Sequence, residues 1–260
     1  MAVISVLNGL ISQIDDSDSP SRYGHFKSKC LNIIWPHVIH MTIIDQFEKK
    51  CPVCGKTSMH PVLMSTNSFG YPDLDLRPAP MQRDTMDTWL DECPHCGYVA
   101  SSLENEPEVS SDILKTDEYI ACEGNDFKWD LSKRFYRFYM ISKALEDYNS
   151  EFFALLHCAW TCDDADDELA VKVRGMALKS FENYQSENED EKKNMQVLKA
   201  DLLRRSLQFE RLIEEYENFT SDDELIYSII RFQLEHAIKK DSGCYTVEDV
   251  VNEFNLNEHQ

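Results

Sequence analysis

Long hydrophobic runs are absent from this sequence. Its longest apolar stretches, Leu31–Trp35 and Phe152–Trp160, are far shorter than the roughly 20 residues that a membrane-spanning helix needs. The first residues also lack the basic region, the apolar run and the small-residue cleavage site of a secretory signal. The sequence therefore predicts a protein that is neither inserted into a membrane nor secreted.

Basic residues are scarce, with 26 lysines and arginines against 47 acidic residues and a net charge of −21. Binding to a phosphate backbone requires a basic face that displaces counterions. The best candidates for a local basic patch, Lys49-Lys50 and Lys133–Arg137, are short. The charge balance therefore argues against nucleic acid as a partner.

Common catalytic motifs are missing as well. The sequence has no P-loop, no G-x-G-x-x-G dinucleotide fingerprint, no H-E-x-x-H metalloprotease motif and no G-x-S-x-G nucleophile elbow. No reaction is indicated by these patterns. We therefore expect a protein that is not an enzyme, and an acidic segment described below keeps the enzymatic alternative open.

Four of the nine cysteines form two copies of one pattern. Cys51-Pro-Val-Cys54-Gly is repeated as Cys93-Pro-His-Cys96-Gly, with 38 residues between the pairs. In each copy proline pre-sets a turn dihedral, and glycine takes the position that favours positive φ, so that backbone N–H groups point at the sulfurs. Four thiolates at the corners of a tetrahedron are typical of a closed structural Zn²⁺ site. Rubredoxin-like iron is the alternative for the same ligands.

The remaining five cysteines indicate the redox environment. The total is odd and the spacing of these five is irregular, which argues against a disulfide framework. Free thiols fit a reducing compartment, so we expect a cytoplasmic protein.

The chain is predicted to consist of four parts in series. The N-terminal part combines a helix at residues 1–14 with an apolar lead-in, and short strands are expected at Met59–Ser65 and Thr88–Cys93 beside the cysteine pairs. The parts are residues 1–47, an N-terminal helix and lead-in; 48–103, a zinc ribbon with an inserted loop; 104–130, a linker; and 131–260, a helical domain.

The C-terminal half has helical periodicity throughout. Ala177 and Phe181 have the small–large spacing seen where tetratricopeptide helices cross, but no clean 34-residue repeat is found. The fold class predicted is mainly α with a small β zinc ribbon, followed by an antiparallel helical bundle of tetratricopeptide-like shape; an irregular bundle is the alternative. The predicted helices are Leu131–Tyr148, Phe152–Trp160, Glu168–Gln185, Lys193–Phe219, a helix capped by Ser221 that runs to Lys240, and Thr246–Phe254.

An acidic segment lies in the loop between the cysteine pairs. Asp73, Asp75 and Asp84, with Arg77, form a polar group that could hold a hard cation or act as a general base. A second interpretation is a loop that binds a partner or ligand. The third, which we favour, is structural: one aspartate pairs with Arg77, and a carboxylate holding Arg77 pins the loop between ribbon and helices.

Taken together, these features resemble the DUF2225 family, which comprises bacterial zinc-ribbon proteins of unknown function. The resemblance covers about four fifths of the chain and implies zinc, a tetratricopeptide-like helical part and a bacterial cytoplasmic setting, but no established activity. It rests on Cys-Pro-Val-Cys-Gly at 51–55, Asp73-Leu-Asp75-Leu-Arg77-Pro78, Trp89, Cys-Pro-His-Cys-Gly-Tyr at 93–98 and, more weakly, Ala159-Trp160 and Leu203-Arg204-Arg205.

The function predicted from the sequence is that of a non-enzymatic binding module. Zinc folds the ribbon, and the helical domain offers a surface to a protein or peptide. Two alternatives stay open: association with nucleic acid through the ribbon, and an enzyme that uses the acidic loop beside the metal.

Overall fold

The computed structural model describes residues 42–105, 111–186 and 188–256. Within these residues the chain is mainly helical, with two small two-stranded sheets at the N-terminal end. The helix predicted at residues 1–14 and most of the lead-in lie outside the described residues.

Each sheet is a hairpin whose turn carries one cysteine pair. Strands β1 (Thr42–Lys50) and β2 (Thr57–Thr66) pair antiparallel around the first pair, with a register shift between Ile43 and Ile44. The much shorter strands β3 (Asp91–Glu92) and β4 (Val99–Ala100) flank the second. The predicted strand at Met59–Ser65 is confirmed within β2. The one at Thr88–Cys93 is reduced to β3, because a 3-10 helix occupies Arg83–Thr88.

The helices follow one another through short connections, and each of the long helices packs against the next in the chain. Helix α5 also packs against α7, so the last helices form a cluster rather than a row. The helices are α1 (Asp117–Ile120), α2 (Asp130–Ala144), α3 (Tyr148–Asp164), α4 (Leu169–Phe181), α5 (Glu189–Arg205), α6 (Phe209–Tyr216), α7 (Glu224–Ile238) and α8 (Val247–Phe254).

The prediction of a single helix at Lys193–Phe219 is wrong. The chain forms α5 and α6 instead, because Leu207 adopts a left-handed conformation with φ of 63° and the Gln208 N–H turns back to the Leu203 carbonyl at 2.9 Å. Glycine is the residue that usually ends a helix in this conformation. Because no glycine is present here, the sequence did not indicate that α5 ends before α6 begins. The cap predicted at Ser221 is displaced to Asp223, whose side chain accepts from the Ile226 N–H.

One continuous apolar core joins the two hairpins to the helices. The described part of the predicted linker takes part in it, since Tyr119, Cys122 and Phe127 are all buried. Cys158 is fully buried as well, as expected for a small apolar side chain. Ribbon and helices therefore share a common interior.

Among the described residues, no helix combines the length and the apolar character needed to cross a membrane.

Candidate metal centre and charged seam

The four predicted ligands, Cys51, Cys54, Cys93 and Cys96, converge on one point. All four sulfur atoms lie within 4.8 Å of one another, and the Cys51–Cys96 and Cys54–Cys93 sulfurs are 3.7 Å apart. Sulfurs bound at about 2.3 Å at the corners of a tetrahedron would be about 3.8 Å apart. The spacing therefore fits a single metal ion held by four thiolates, and the four cysteines are free of disulfides.

The two turns that present these sulfurs have nearly the same geometry. Gly55 and Gly97 have φ of 73° and 74°, and each donates its N–H to the carbonyl of the first cysteine of its pair at 2.9 Å. The N–H groups of Cys51 and Cys93 are bonded to the carbonyls of Lys56 and Tyr98. Because a side chain at either glycine would be strained at this φ, the turn explains the glycine of each motif.

Burial and hydrogen bonding shift the pKa values of these thiols. Cys51 and Cys93 are wholly buried, whereas Cys54 and Cys96 are partly exposed. Desolvation raises the pKa of Cys51 and of Cys96, while hydrogen bonding from the Lys56 backbone lowers the pKa of Cys54. A divalent cation must therefore displace protons from the buried thiols, and metal binding is expected to weaken as the pH falls.

The second cysteine turn is tied to the helices through polar contacts. The Tyr119 hydroxyl donates to the Gly97 carbonyl at 2.7 Å, and the Tyr119 ring lies under the Arg137 guanidinium. Arg137 also binds Glu92 of β3 at 2.7 Å. Tyr119 of α1 and Arg137 of α2 thus attach this turn and its strand β3 to the helices.

The first hairpin is joined to the second by a buried ion pair. Lys49 of β1 lies 2.7 Å from Asp91 of β3, and both side chains are at least nine-tenths buried. Asp91 also accepts the Leu103 N–H at 3.0 Å. His60 of β2 also lies 3.5 Å from Asp91, so the two hairpins are linked by protein contacts in addition to any metal.

The acidic loop lies between the hairpins and the helices, where it forms what we call the charged seam: Asp73–Pro78 together with Trp160, Asp163, Asp164, Arg174 and Arg205. Arg77 makes two bonds to Asp164 at the end of α3, at 2.9 and 2.5 Å. The sequence predicted a carboxylate partner for Arg77, but the interpretation that a loop aspartate supplies it is wrong. Asp75 contacts only the Arg77 backbone N–H, because its carboxylate faces the helices.

Asp75 is the centre of the charged seam and has no exposed surface. Its carboxylate accepts from Arg205 and from the Trp160 indole, each at 2.8 Å, and Arg174 lies 3.7 Å away. Burial raises the pKa of Asp75, whereas Arg205 and Arg174 lower it. The Arg205 guanidinium and the Trp160 indole donate hydrogen bonds to this carboxylate, and Arg174 adds a nearby positive charge.

Asp163 extends the charged seam along α3. It binds both Arg174 and Arg205, the latter at 2.7 Å. Burial alone would raise the pKa of Asp163, but the two arginines outweigh it and hold that pKa below its usual value. The seam is therefore a network in which helices α3, α4 and α5 share the charges of the loop.

The remaining aspartates of the loop lie apart from Asp75. Asp73 binds Arg83 at 2.7 Å, and Asp84 is exposed and accepts the Met81 N–H. Asp73 and Asp75 are each paired with arginine, which leaves neither as a ready ligand for a hard cation or as a free base. Of the three interpretations of this loop, the described contacts favour the structural one.

Sequence reasoning missed the helical half of the charged seam. Trp160 and Arg205 belonged to segments that carried the family resemblance, yet no role was predicted for them. Asp163, Asp164 and Arg174 carried no signal, because charged residues on helices are usually solvated.

Comparison with known proteins adds no relatives: the chain matches no protein-family model, no curated protein and no solved structure. Membership of the DUF2225 family consequently stays a prediction from the residues.

Proposed function

We propose that this protein is a non-enzymatic zinc-binding protein of the DUF2225 type, in which a structural four-cysteine ribbon is built onto a helical protein-interaction domain. The single observation that carries the proposal is that four cysteine sulfurs lie within 4.8 Å of one another. Four protein ligands fill the coordination sphere of Zn²⁺ and leave no position for water or substrate. A centre of that kind stabilises a fold instead of activating a reactant.

The paired state of the acidic loop supports a role other than catalysis. A general base or a cation site requires a carboxylate that is free to meet its substrate or ion. Asp75 is instead buried against Arg205 and Trp160, and Asp73 is bound by Arg83. These contacts fix the loop, as a structural role requires.

A protein or peptide is the partner that fits the composition best. The strongly acidic charge opposes binding to nucleic acid, and arrays of short packed helices are widely used to bind proteins and peptides. The irregular spacing of the cysteines outside the motifs fits a cytoplasmic setting. A tetratricopeptide-like arrangement of the helices is part of this proposal.

The metal can be identified on protein purified without chelator. We expect one zinc per chain, a colourless solution and a sulfur-only coordination sphere at about 2.3 Å by X-ray absorption. Strong visible absorption with stoichiometric iron would replace zinc by a rubredoxin-like centre. Absence of any stoichiometric metal would overturn the proposal.

The partner can be sought by quantitative affinity purification from native cells. Cys93→Ser, which removes a ligand, should lose specifically bound proteins if the ribbon positions the interaction surface. Cys244→Ser is the matched control, because Cys244 is an exposed cysteine outside the cluster. If the wild-type protein retains nothing beyond what an unrelated acidic bait retains, the interaction part of the proposal fails while the metal assignment stands.

A further inference from the structure

A cleft of about 810 Å³ lies between β2 and the segment that joins the two hairpins, on one side, and helices α2 and α3, on the other. Its size is within the range of about 300–1,000 Å³ that is typical of small-molecule sites. The walls are largely apolar, and Leu63, Pro78 and Leu90 come from the hairpin side. The aromatic and imidazole rings that line the cleft are those of Trp89, Phe135, Phe138, Phe153, His157 and Tyr184.

Four of these rings form a continuous wall. The centroid of His157 lies 5.1 Å from that of Trp89 and 6.1 Å from that of Phe153, and Phe153 lies 6.0 Å from Tyr184. The Trp89–His157 and Phe153–Tyr184 pairs meet edge to face. Such a wall offers both ring faces and ring edges to a planar ligand.

His157 places a polar ring in this apolar setting. No hydrogen-bond partner for its buried Nε2 atom is found among the described residues. Burial, together with the nearby Arg77, lowers the pKa of His157 to about 3, so the ring is neutral at physiological pH. Buried polar atoms are rarely left unpaired, and an unpaired one beside a cleft indicates a site for a ligand or water.

A carboxylate lies at the Tyr184 end of the aromatic wall. Glu191, which lines the cleft, accepts from the hydroxyl groups of Tyr184 and Ser186. Within residues 42–105, 111–186 and 188–256, no lysine or arginine is paired with Glu191. Its neighbour Lys192 is bound to Glu189 at 2.6 Å instead. The cleft therefore combines an aromatic lining with one negative charge that neutral donors alone hold in place.

We propose that this cleft binds a small molecule in which an aromatic ring carries an ammonium group. The ring packs against the wall formed by Trp89, His157 and Phe153. The ammonium group reaches Glu191, where the Tyr184 ring adds a cation–π contact to the charge-assisted hydrogen bond. This site is separate from the cysteine cluster and goes beyond the proposed structural and interaction roles.

The test compares two probes of the same shape by ¹⁹F NMR titration of the metal-loaded full chain. The probes are 4-fluorophenethylamine and its neutral analogue 2-(4-fluorophenyl)ethanol. We expect the amine to bind at least tenfold more tightly, which corresponds to about 1.4 kcal/mol. Glu191→Gln should remove that difference, because the amide keeps the oxygen acceptor but not the charge. Asp190→Asn is the matched control on the same helical turn and should preserve it, since Asp190 is exposed, does not line the cleft and leaves the Lys192–Glu189 pair intact.

A second variant tests the location. Ser150 lines the cleft from the first turn of α3, and Ser150→Trp should fill the opening and abolish binding of both probes while the melting temperature shows that the chain still folds. Equal affinities for the two probes, a preference that survives Glu191→Gln, binding that survives Ser150→Trp, or no saturable binding of either probe to the wild-type protein would each overturn the proposal. Tighter binding of a blocked Gly-(4-fluoro-Phe)-Lys-Gly peptide than of the amine would overturn the small-molecule assignment in favour of a peptide.

Discussion

The cysteine cluster and the charged seam fasten distant parts of the chain by different means. In the cluster, two turns 38 residues apart meet through sulfur atoms that need a metal ion to attract one another. In the seam, the Asp75 carboxylate meets Arg205, which is 130 residues further along the chain, through groups that already carry opposite charges. One link depends on a cation from solution, and the other is complete within the chain.

This difference predicts separate responses of the two regions. Loss of the metal should release the two cysteine turns but leave the loop attached to the helices. Loss of a charge in the seam should destabilise the whole fold, because a buried partner is left uncompensated, yet leave the metal bound. The predictions below test that separation from the largest expected effect to the smallest.

Removing a ligand should have the largest effect. Metal binding contributes on the order of 10 kcal/mol in small zinc modules, and the short strands β3 and β4 can supply little of that themselves. We expect Cys93→Ser to lose the metal and the order of both cysteine turns, with helical circular dichroism largely retained. Metal analysis and spectra of the same sample check this. A variant that keeps a full equivalent of metal would show that the cluster does not require Cys93.

Removing the central carboxylate of the seam should have the next largest effect. Asp75→Ala removes the buried one of the two carboxylates that Arg205 and Arg174 share and leaves them only Asp163, and breaking a buried pair typically costs about 3–5 kcal/mol. Urea unfolding of the metal-loaded protein measures the loss. The exposed Asp84→Ala serves as the control and should change the free energy of unfolding by no more than about 0.5 kcal/mol. Similar values for both variants would show that the seam contributes little.

A smaller loss is expected for Arg77→Ala. The Arg77 side chain is almost buried, but its partner Asp164 is 40% exposed and can be hydrated again, so we expect about 1–2 kcal/mol with the metal content unchanged. The control is Lys115→Ala, which breaks an exposed ion pair with Asp112 and should change the free energy of unfolding very little. Normal stability with loss of a binding partner would instead assign Arg77 to recognition.

The smallest expected effect is a loss of stability at acidic pH that is caused by His157. The pKa of His157 is about 3 in the folded chain and about 6.5 when unfolded, so the unfolded chain binds more protons between these values. The free energy of unfolding should therefore fall as the pH drops below about 6.5. His157→Phe removes this dependence, and between pH 7 and 5.5 it should lose about 1 kcal/mol less than the wild type. Parallel pH profiles of the two proteins would contradict the burial of a neutral imidazole.

The two regions also differ in how well the sequence predicts them. Each cysteine turn is a local motif, so Pro52 and Gly55 near Cys51 indicate the geometry without any knowledge of the fold. The charged seam depends on which helix ends meet the loop. A carboxylate for Arg77 could be predicted, but its identity as Asp164 could not, because residues 87 positions apart are brought together only by tertiary packing.

The helices show the same limit on a smaller scale. The capping box at Thr246 and Asp249 starts α8 where the sequence predicted, because the signal lies within four residues. The break between α5 and α6 falls at Leu207, which adopts a left-handed conformation that its residue type does not favour. Local chemistry is therefore predictable, whereas features imposed by neighbouring elements are not.

Amide hydrogen exchange on the wild-type protein, before and after a strong zinc chelator is added, tests the central claim most directly. Two sets of amides report on the two regions. Those of Gly55 and Gly97 are bonded within the cysteine turns, and those of Asp73 and Leu76 are bonded within the loop of the charged seam. We predict that chelation removes protection from the first set and preserves it in the second. Equal loss in both sets, or unchanged protection of Gly55 and Gly97, would contradict the claim that a metal holds the cysteine turns while the chain itself holds the seam.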